Sequence, residues 1–278
     1  MRYPKSGRRL ASVCLLLCLT LGLTALPGCA RRGDKAAGSI TLAGSTSVQP
    51  FAEMLAEECA RKYPDRPPVN VQGGGSSAGA RAALSGTAHI GMLSREPAES
   101  EKELEPTVIA IDALALIVHR DNNVVDLTKE QIRGIFSGRI TDWGELGGTP
   151  GPIHVISREE GSGTRGAFDE LIMGGEDVMA RAIVQDSNGA VRETVAGDPR
   201  AIGYVSLGLV DDRVRAVKVD GVEASVESVR SREYILVRPF LFVVKGDPTP
   251  EAKEFLDFVL SEEGQRILSE EGLVTEER

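Results

Sequence analysis

The sequence predicts an α/β fold, and three observations carry that expectation. After residue 38, short apolar strands alternate with amphipathic helices to the C-terminus. Two long apolar runs, 108–118 and 234–244, bracket a middle block. Three times an apolar strand runs into a loop of Gly, Ser and Thr and then directly into a helix: 39–42 into Gly44-Ser45-Thr46-Ser47, 69–71 into Gly73-Gly74-Gly75-Ser76-Ser77, and 153–156 into Gly161-Ser162-Gly163-Thr164. The unpaired N–H groups of a helix start, together with the helix dipole, favour a bound anion. Three such loops, if they converge, enclose a small oxyanion without a large local charge.

The N-terminus carries Arg2, Lys5, Arg8 and Arg9, then an apolar run over 10–26, then Pro27-Gly28-Cys29. This pattern reads as an export signal over 1–28. Its ending resembles a bacterial lipobox, which implies cleavage before Cys29, lipidation of Cys29 and a membrane-anchored protein working outside the cytoplasm. The other reading is an uncleaved anchor, for which the run is short and closely followed by Arg31 and Arg32. Residues 29–38 read as a tether. Beyond the signal the chain keeps 28 basic residues against 41 acidic ones, a formal charge of −13. That balance argues against nucleic acid as a partner and requires any anion to be held by local dipoles and a few placed cations. Of the cysteines, only Cys59 lies beyond the lipobox, on the apolar face of Phe51 and Leu55, so neither a disulfide nor a cysteine-rich metal site is expected within one chain.

Taken in order, 48–61 reads as a helix that ends at Tyr63-Pro64. A short helix follows Gly75 and ends near Gly86, and 89–93 reads as a strand entering Ser94-Arg95. The run 108–118, broken only by Asp112, reads as buried strand. Thr128 caps a helix to Phe136, with Gln131 at the third helical position. Residues 166–173 and 177–183 are helical in pattern, 201–207 and 214–219 strand-like, and 234–244 contains Arg238-Pro239. Over 251–271 an amphipathic helix pair turns Phe255, Phe258, Val259, Ile267 and Leu268 inward. The long runs imply a chain that leaves one lobe near 115 and returns near 238: one lobe of 39–114 with 238–278, the other of 115–237. Ligands of such folds lie in a crevice at the strand carboxyl ends.

Several motifs compete for the same loops. Gly161-Ser162-Gly163-Thr164-Arg165-Gly166 matches a dinucleotide fingerprint with Asp186 downstream, but Arg158-Glu159-Glu160 separate it from the strand, where pyrophosphate must approach. Gly75-Ser76-Ser77-Ala78-Gly79 matches a hydrolase nucleophile elbow, making a secreted serine hydrolase using Ser77 the enzyme alternative. It needs a histidine partner from His89, His119 or His154, none of them well placed in chain order. No Walker lysine follows any glycine loop, no cofactor motif survives, and no acid or histidine cluster has metal spacing. Trp143 reads as a packed turn residue.

Taken together, Gly44-Ser45-Thr46-Ser47, the run 69–77, Ile90-Gly91-Met92-Leu93-Ser94-Arg95, the run 157–165, Ile135-Phe136-Ser137-Gly138 with Trp143, and Ala201-Ile202-Gly203-Tyr204-Val205 resemble the phosphate-binding proteins of bacterial ABC phosphate importers. The likeness runs from about residue 39 to the C-terminus, with Arg158-x-x-Gly161-Ser162-Gly163-Thr164-Arg165 its most specific element. The resemblance implies a two-lobed periplasmic-binding-protein fold of type II and a monomer that catalyses no reaction, takes inorganic phosphate in the interlobe cleft and delivers it to an ABC permease. By motif match Thr46, Ser47, Ser76 and Ser94 would bind from one lobe, and Arg158, Ser162, Gly163 and Thr164 from the other. For Arg158 the residues alone also allow a surface salt bridge with Glu159 or Glu160. Ser94 stands where well-known members carry an acid that repels sulfate, so another tetrahedral oxyanion, sulfate or molybdate, is the alternative ligand. Asp112 is expected either to reach the cleft as a substitute acceptor or to be a buried acid paired with Arg95 or a backbone donor.

Overall fold

The computed structural model describes residues 38–275; the signal, Cys29 and nearly all of the tether lie outside the described residues. The elements follow in order: β1 (Ile40–Gly44), α1 (Gln49–Lys62), β2 (Val69–Gly73), α2 (Ser76–Ser85), β3 (Ile90–Leu93), β4 (Leu104–His119), β5 (Asp126–Leu127) and α3 (Lys129–Ser137). Next come β6 (His154–Arg158), α4 (Gly163–Phe168), β7 (Ile183–Gln185), α5 (Asn188–Ala196), β8 (Ala201–Ser206), β9 (Val214–Ala216) and β10 (Lys218–Val219). The chain closes with α6 (Val226–Arg230), β11 (Val237–Lys245), α7 (Pro250–Val259) and α8 (Glu262–Glu270).

The strands run in the order β2-β1-β3-β11-β4-β8-β6-β7, with β9 also on β4. Strand β4 carries the chain from one core to the other. Its first part, through Ala113, pairs antiparallel with β11, and from Leu114 onward it pairs with β8. Asp112 and Arg238 are direct cross-strand partners just before that change. One core gathers Phe51, Leu55, Cys59, Phe240, Phe242, Phe255 and Leu268. The second gathers the apolar side chains of 113–118 with Phe136, Trp143, Phe168, Val191 and Tyr204. Both sides of β4 are covered over 113–118, which is why that run is continuously apolar.

Local expectations hold where the local signal is strong. Thr128 and Gln131 form a reciprocal cap on α3, with Gln131 N donating to Thr128 Oγ1 at 3.2 Å and Thr128 N to Gln131 Oε1 at 2.8 Å. Cys59 is buried and free. Trp143 packs at a turn and donates Nε1–H to the Arg200 carbonyl at 3.0 Å. The helix expected over 177–183 does not form: most of the segment is irregular, and Ile183 opens β7. Its Met179 N–H instead bonds the Phe136 carbonyl at 2.8 Å, so a tertiary contact with α3 overrides the helical period. Helix α5, begun by Ser187 as cap to Ala190 N, lies where the sequence reading placed no element.

Helix α2 lies against β1 and β3 closely enough to exclude a side chain at Gly79. A Cβ there would sit 2.6 Å from the Ala43 carbonyl oxygen, 2.7 Å from Gly44 Cα and 2.9 Å from the Met92 carbonyl oxygen, all backbone atoms unable to give way. Gly79→Ala is therefore expected to destabilise the fold by about 1–3 kcal/mol, read as a lower urea midpoint; an unchanged midpoint would contradict this close approach.

Candidate functional site

The three Gly/Ser/Thr loops converge. Ser45 N donates to the Met92 carbonyl at 2.8 Å and Gly75 N to the Gly44 carbonyl at 2.9 Å, tying together the carboxyl ends of β1, β2 and β3. From the second core, the start of α4 meets them: a Cβ on Gly163 would lie 2.1 Å from Ser76 Oγ and 2.5 Å from Ser94 Oγ. Ser77 N donates to the Gly161 carbonyl at 3.1 Å, a backbone bond between the α2 and α4 loops. Glycine is required at both loop corners, because Gly75 and Gly161 adopt φ of 85° and 87°.

The meeting place of these loops is rich in hydroxyls. Ser45, Ser47, Ser76, Ser94, Ser162 and Thr164 are all buried, while Thr46 is half-buried. Ser47 Oγ and Thr164 Oγ1 lie 2.7 Å apart. Ser45 Oγ donates to Ser94 Oγ at 3.0 Å, and Ser94 N donates to Ser76 Oγ at 3.1 Å. Ser162 caps α4 by accepting from Arg165 N at 3.2 Å.

Arg158 ends β6 and is only 1 % exposed. Its Nε and Nη2 each donate to Glu159 at 2.9 Å, and Nη2 also reaches Thr46 Oγ1 at 3.2 Å. Nη1 is buried with no hydrogen-bond partner among the described residues. The ion pair with Glu159 is real, but it is not a surface pair: the cation is carried inside with a donor to spare. Tyr204 on β8 holds this strand end in place, its hydroxyl bonding Ser157 Oγ at 2.9 Å and accepting from Arg158 N at 3.3 Å. Burial pushes the Tyr204 phenol up to about 12, so it stays protonated, and its ring stacks on Phe168 of α4 at 4.2 Å.

Two residues join the site without having been singled out as ligands. Asn188, at the start of α5, donates Nδ2–H to Ser47 Oγ at 2.8 Å, Thr46 Oγ1 at 3.2 Å and Thr164 Oγ1 at 3.3 Å. Its signal was the Ser187-Asn188-Gly189 helix start, a fourth small polar loop without the glycine run. Arg238 donates Nη2–H to Ser47 Oγ at 3.1 Å. Its signal was a charge inside an apolar run, the same signal that marked Asp112.

Asp112 is the buried acid of the second alternative, with a backbone donor at Leu207, but the cation it pairs with is Arg238 and not Arg95. Its Oδ2 accepts from Arg238 Nε at 2.9 Å and its Oδ1 from Ser206 Oγ at 2.7 Å. Burial pushes the Asp112 carboxyl up while the Arg238 guanidinium and the Ser206 hydroxyl oppose that push, and burial lowers Arg238 while Asp112 opposes it. Arg95 is held elsewhere, in a fork on Glu101 at 2.8 and 2.9 Å. Burial acts to raise the Glu101 carboxyl, but the Arg95 bonds and the Ala98 N–H hold it below its ordinary value.

Ser77 Oγ accepts from Arg95 Nη2 at 3.1 Å and hydrogen-bonds no histidine. His89 Nδ1 accepts from Thr41 N, His119 Nδ1 from Asp121 N, and His154 faces Asp198 at 2.6 Å. The geometry of a serine hydrolase is therefore missing among the described residues. A surface groove of about 620 Å³ beside α1, α7 and α8, lined by Lys62, Tyr63, Arg66 and Asp257, is open and rich in paired charges, and shares no residue with this site.

A two-lobed α/β fold whose strand ends meet at a buried cluster of hydroxyls is that of a solute-binding protein, and a family model described as a PBP superfamily domain matches residues 30–263. The phosphate-binding protein PstS of Bacillus subtilis is 35 % identical over 251 residues, 88 % of this chain and 83 % of the relative. PstS of Pseudomonas aeruginosa is 30 % identical over 276 residues, 88 % of this chain and 85 % of that one. A putative phosphate ABC transporter substrate-binding protein from Clostridium perfringens, solved with bound phosphate, superposes with a TM-score of 0.84 at 45 % identity, covering 86 % of this chain and 100 % of that one. An ABC-type phosphate transport receptor from Vibrio cholerae gives a TM-score of 0.71 at 37 % identity, over 86 % and 100 % of the two chains. The chain belongs to this family, the PstS phosphate-binding proteins of the PBP superfamily.

Tyr204→Phe leaves Ser157 Oγ and Arg158 N without their shared partner. It is expected to cost about 1–3 kcal/mol of stability, read by chemical denaturation; an unaltered midpoint would contradict the role given to the phenol.

Proposed function

We propose that this chain captures inorganic phosphate outside the cytoplasmic membrane and delivers it to an ABC permease, catalysing no reaction. The observation that carries the proposal is the Arg158 guanidinium, 1 % exposed, with Nη1 unpartnered and its neighbouring nitrogen on the Thr46 hydroxyl. A buried cationic donor left unpaired is costly, and a tetrahedral oxyanion satisfies it in the geometry a guanidinium favours. Thr46, Ser47, Ser76 and Ser94 bind from the loops of β1, β2 and β3; Arg158, Ser162, Gly163 and Thr164 bind from the β6 loop. The helix starts of α2 and α4 add amide donors and dipole. Residues from both cores contribute, so the site is complete only when the lobes close, and β4 and β11 are the connections about which they move.

Lipidation at Cys29 and the 29–38 tether hold the receptor at the membrane near its transporter, and it acts as a monomer. The basic, apolar N-terminus and the Leu26-Pro27-Gly28-Cys29 sequence support this part. No helix among the described residues is long and apolar enough to cross a membrane. Sulfate or molybdate is the second reading. Ser94 hydrogen-bonds only hydroxyls through its side chain, and the nearby carboxylates of Asp112 and Glu159 are both taken up by arginines.

Titration calorimetry of the full-length chain with phosphate, sulfate and molybdate is expected to give tightest binding with phosphate; no heat with phosphate would overturn the proposal. Arg158→Ala is expected to weaken phosphate binding roughly 30-fold or more, the loss of about 2–5 kcal/mol that follows truncation of a buried charged partner. Gly163→Ala places a methyl group against Ser76 and Ser94. It is expected to weaken phosphate binding while far-UV circular dichroism stays unchanged, and wild-type affinity in that variant would argue against closure through this contact.

A further inference from the structure

Arg238 has more donors than its structural partners use. It lies on β11, is 3 % exposed, and packs its guanidinium 5.5 Å from the Phe240 ring. Nε and Nη2 face Asp112, Nη2 also donates to Ser47 Oγ, and Nη1 is buried with no partner among the described residues. Arg158 presents the same pattern from the end of β6: one edge on a carboxylate, Nη2 on Thr46, Nη1 unpartnered. The two guanidiniums thus approach adjacent residues of one turn, and Asn188 Nδ2 reaches both hydroxyls of that turn. They are near enough that the charge of Arg158 acts to lower the pKa of Arg238.

We propose that Arg238 is a second cationic ligand of the bound oxyanion, with Asp112 as its positioning residue. The inference rests on the phosphate-binding reading above and extends its ligand set to the strand that joins the two cores. An anion seated beside Thr46 and Ser47 satisfies both free Nη1 groups and screens the repulsion between the two cations. Asp112, itself held by Ser206 Oγ, fixes the plane of the Arg238 fork, as Glu159 does for Arg158. The site thus presents two guanidinium edges to its ligand. A purely structural pin between β4 and β11 explains the contact of Nε and Nη2 with Asp112, but neither the Ser47 contact nor the unpartnered Nη1. Buried ion pairs of that kind are commonly replaceable by apolar pairs without loss of stability.

The test is calorimetry with inorganic phosphate on the full-length chain, comparing wild type, Arg238→Gln and the double variant Asp112→Asn/Arg238→Gln. The double variant removes both charges together and leaves no orphaned carboxylate. It is expected to unfold cooperatively near the wild-type temperature and to bind phosphate 30-fold or more weakly; binding within twofold of wild type would overturn the inference. Should the wild type itself bind no phosphate, the underlying reading falls and this one with it. A measurement on the unaltered protein guards against a variant that does not fold: Arg238 Nη–H resonances are expected to shift and exchange more slowly on adding phosphate, and unmoved resonances would overturn the assignment.

Discussion

Carrying a guanidinium out of water is costly unless its charge and its donors find partners, and this protein does so twice beside one turn. Arg158 and Arg238 are each nine-tenths or more buried, each is held along one edge by a carboxylate, and each keeps one nitrogen without a partner among the described residues. The surrounding structure is arranged around that constraint. Tyr204 and Ser157 hold the backbone of β6 where Arg158 leaves it. Ser206 holds Asp112, and Asp112 orients Arg238. Asn188 joins the two networks, since its amide donates to the Thr46–Ser47 turn and its carbonyl oxygen accepts from Ser206 N at 3.4 Å.

The fold builds the site from the carboxyl ends of parallel strands. β1, β2 and β3 end side by side, with Gly44 in register with Gly73 and Met92, and α2 lies so close to β1 and β3 that Gly79 must lack a side chain. β6 ends opposite, and α4 begins against Ser76 and Ser94. What lines the site is mostly hydroxyl, a group that both donates and accepts. On the proposed reading an acidic chain recognises an anion through dipoles and two buried arginines, with its overall negative field overcome only at short range.

Much of this was legible in the sequence. The alternation of strands and helices, the three loops, the cap at Thr128, the burial of Cys59 and the packing of Trp143 each depend on local pattern, and each is present. The segment 177–183 misled because its apolar spacing suits a helix, whereas Met179 is bound to α3, a contact no local rule exposes. Asn188 was missed because one amide at a helix start is an ordinary cap by sequence alone. Arg238 and Asp112 were each visible as a charge in an apolar run. That they face one another across β4 and β11 follows from strand register, which pairs residues 126 positions apart.

On the proposed reading, the hydroxyl at Ser94, where an acid was expected, leaves recognition to the arginine edges and the hydrogen-bond geometry of the turn, rather than to charge repulsion by a free carboxylate. The central claim is spatial: one oxyanion, seated between the Thr46–Ser47 turn and the ends of both guanidiniums. Diffraction from crystals grown with arsenate, a tetrahedral analogue of phosphate whose anomalous signal marks its position, tests this most directly. The account requires one strong arsenic peak with oxygens in hydrogen-bond reach of Arg158 Nη1 and Arg238 Nη1; a peak elsewhere on the molecule, or none at that site, would contradict it.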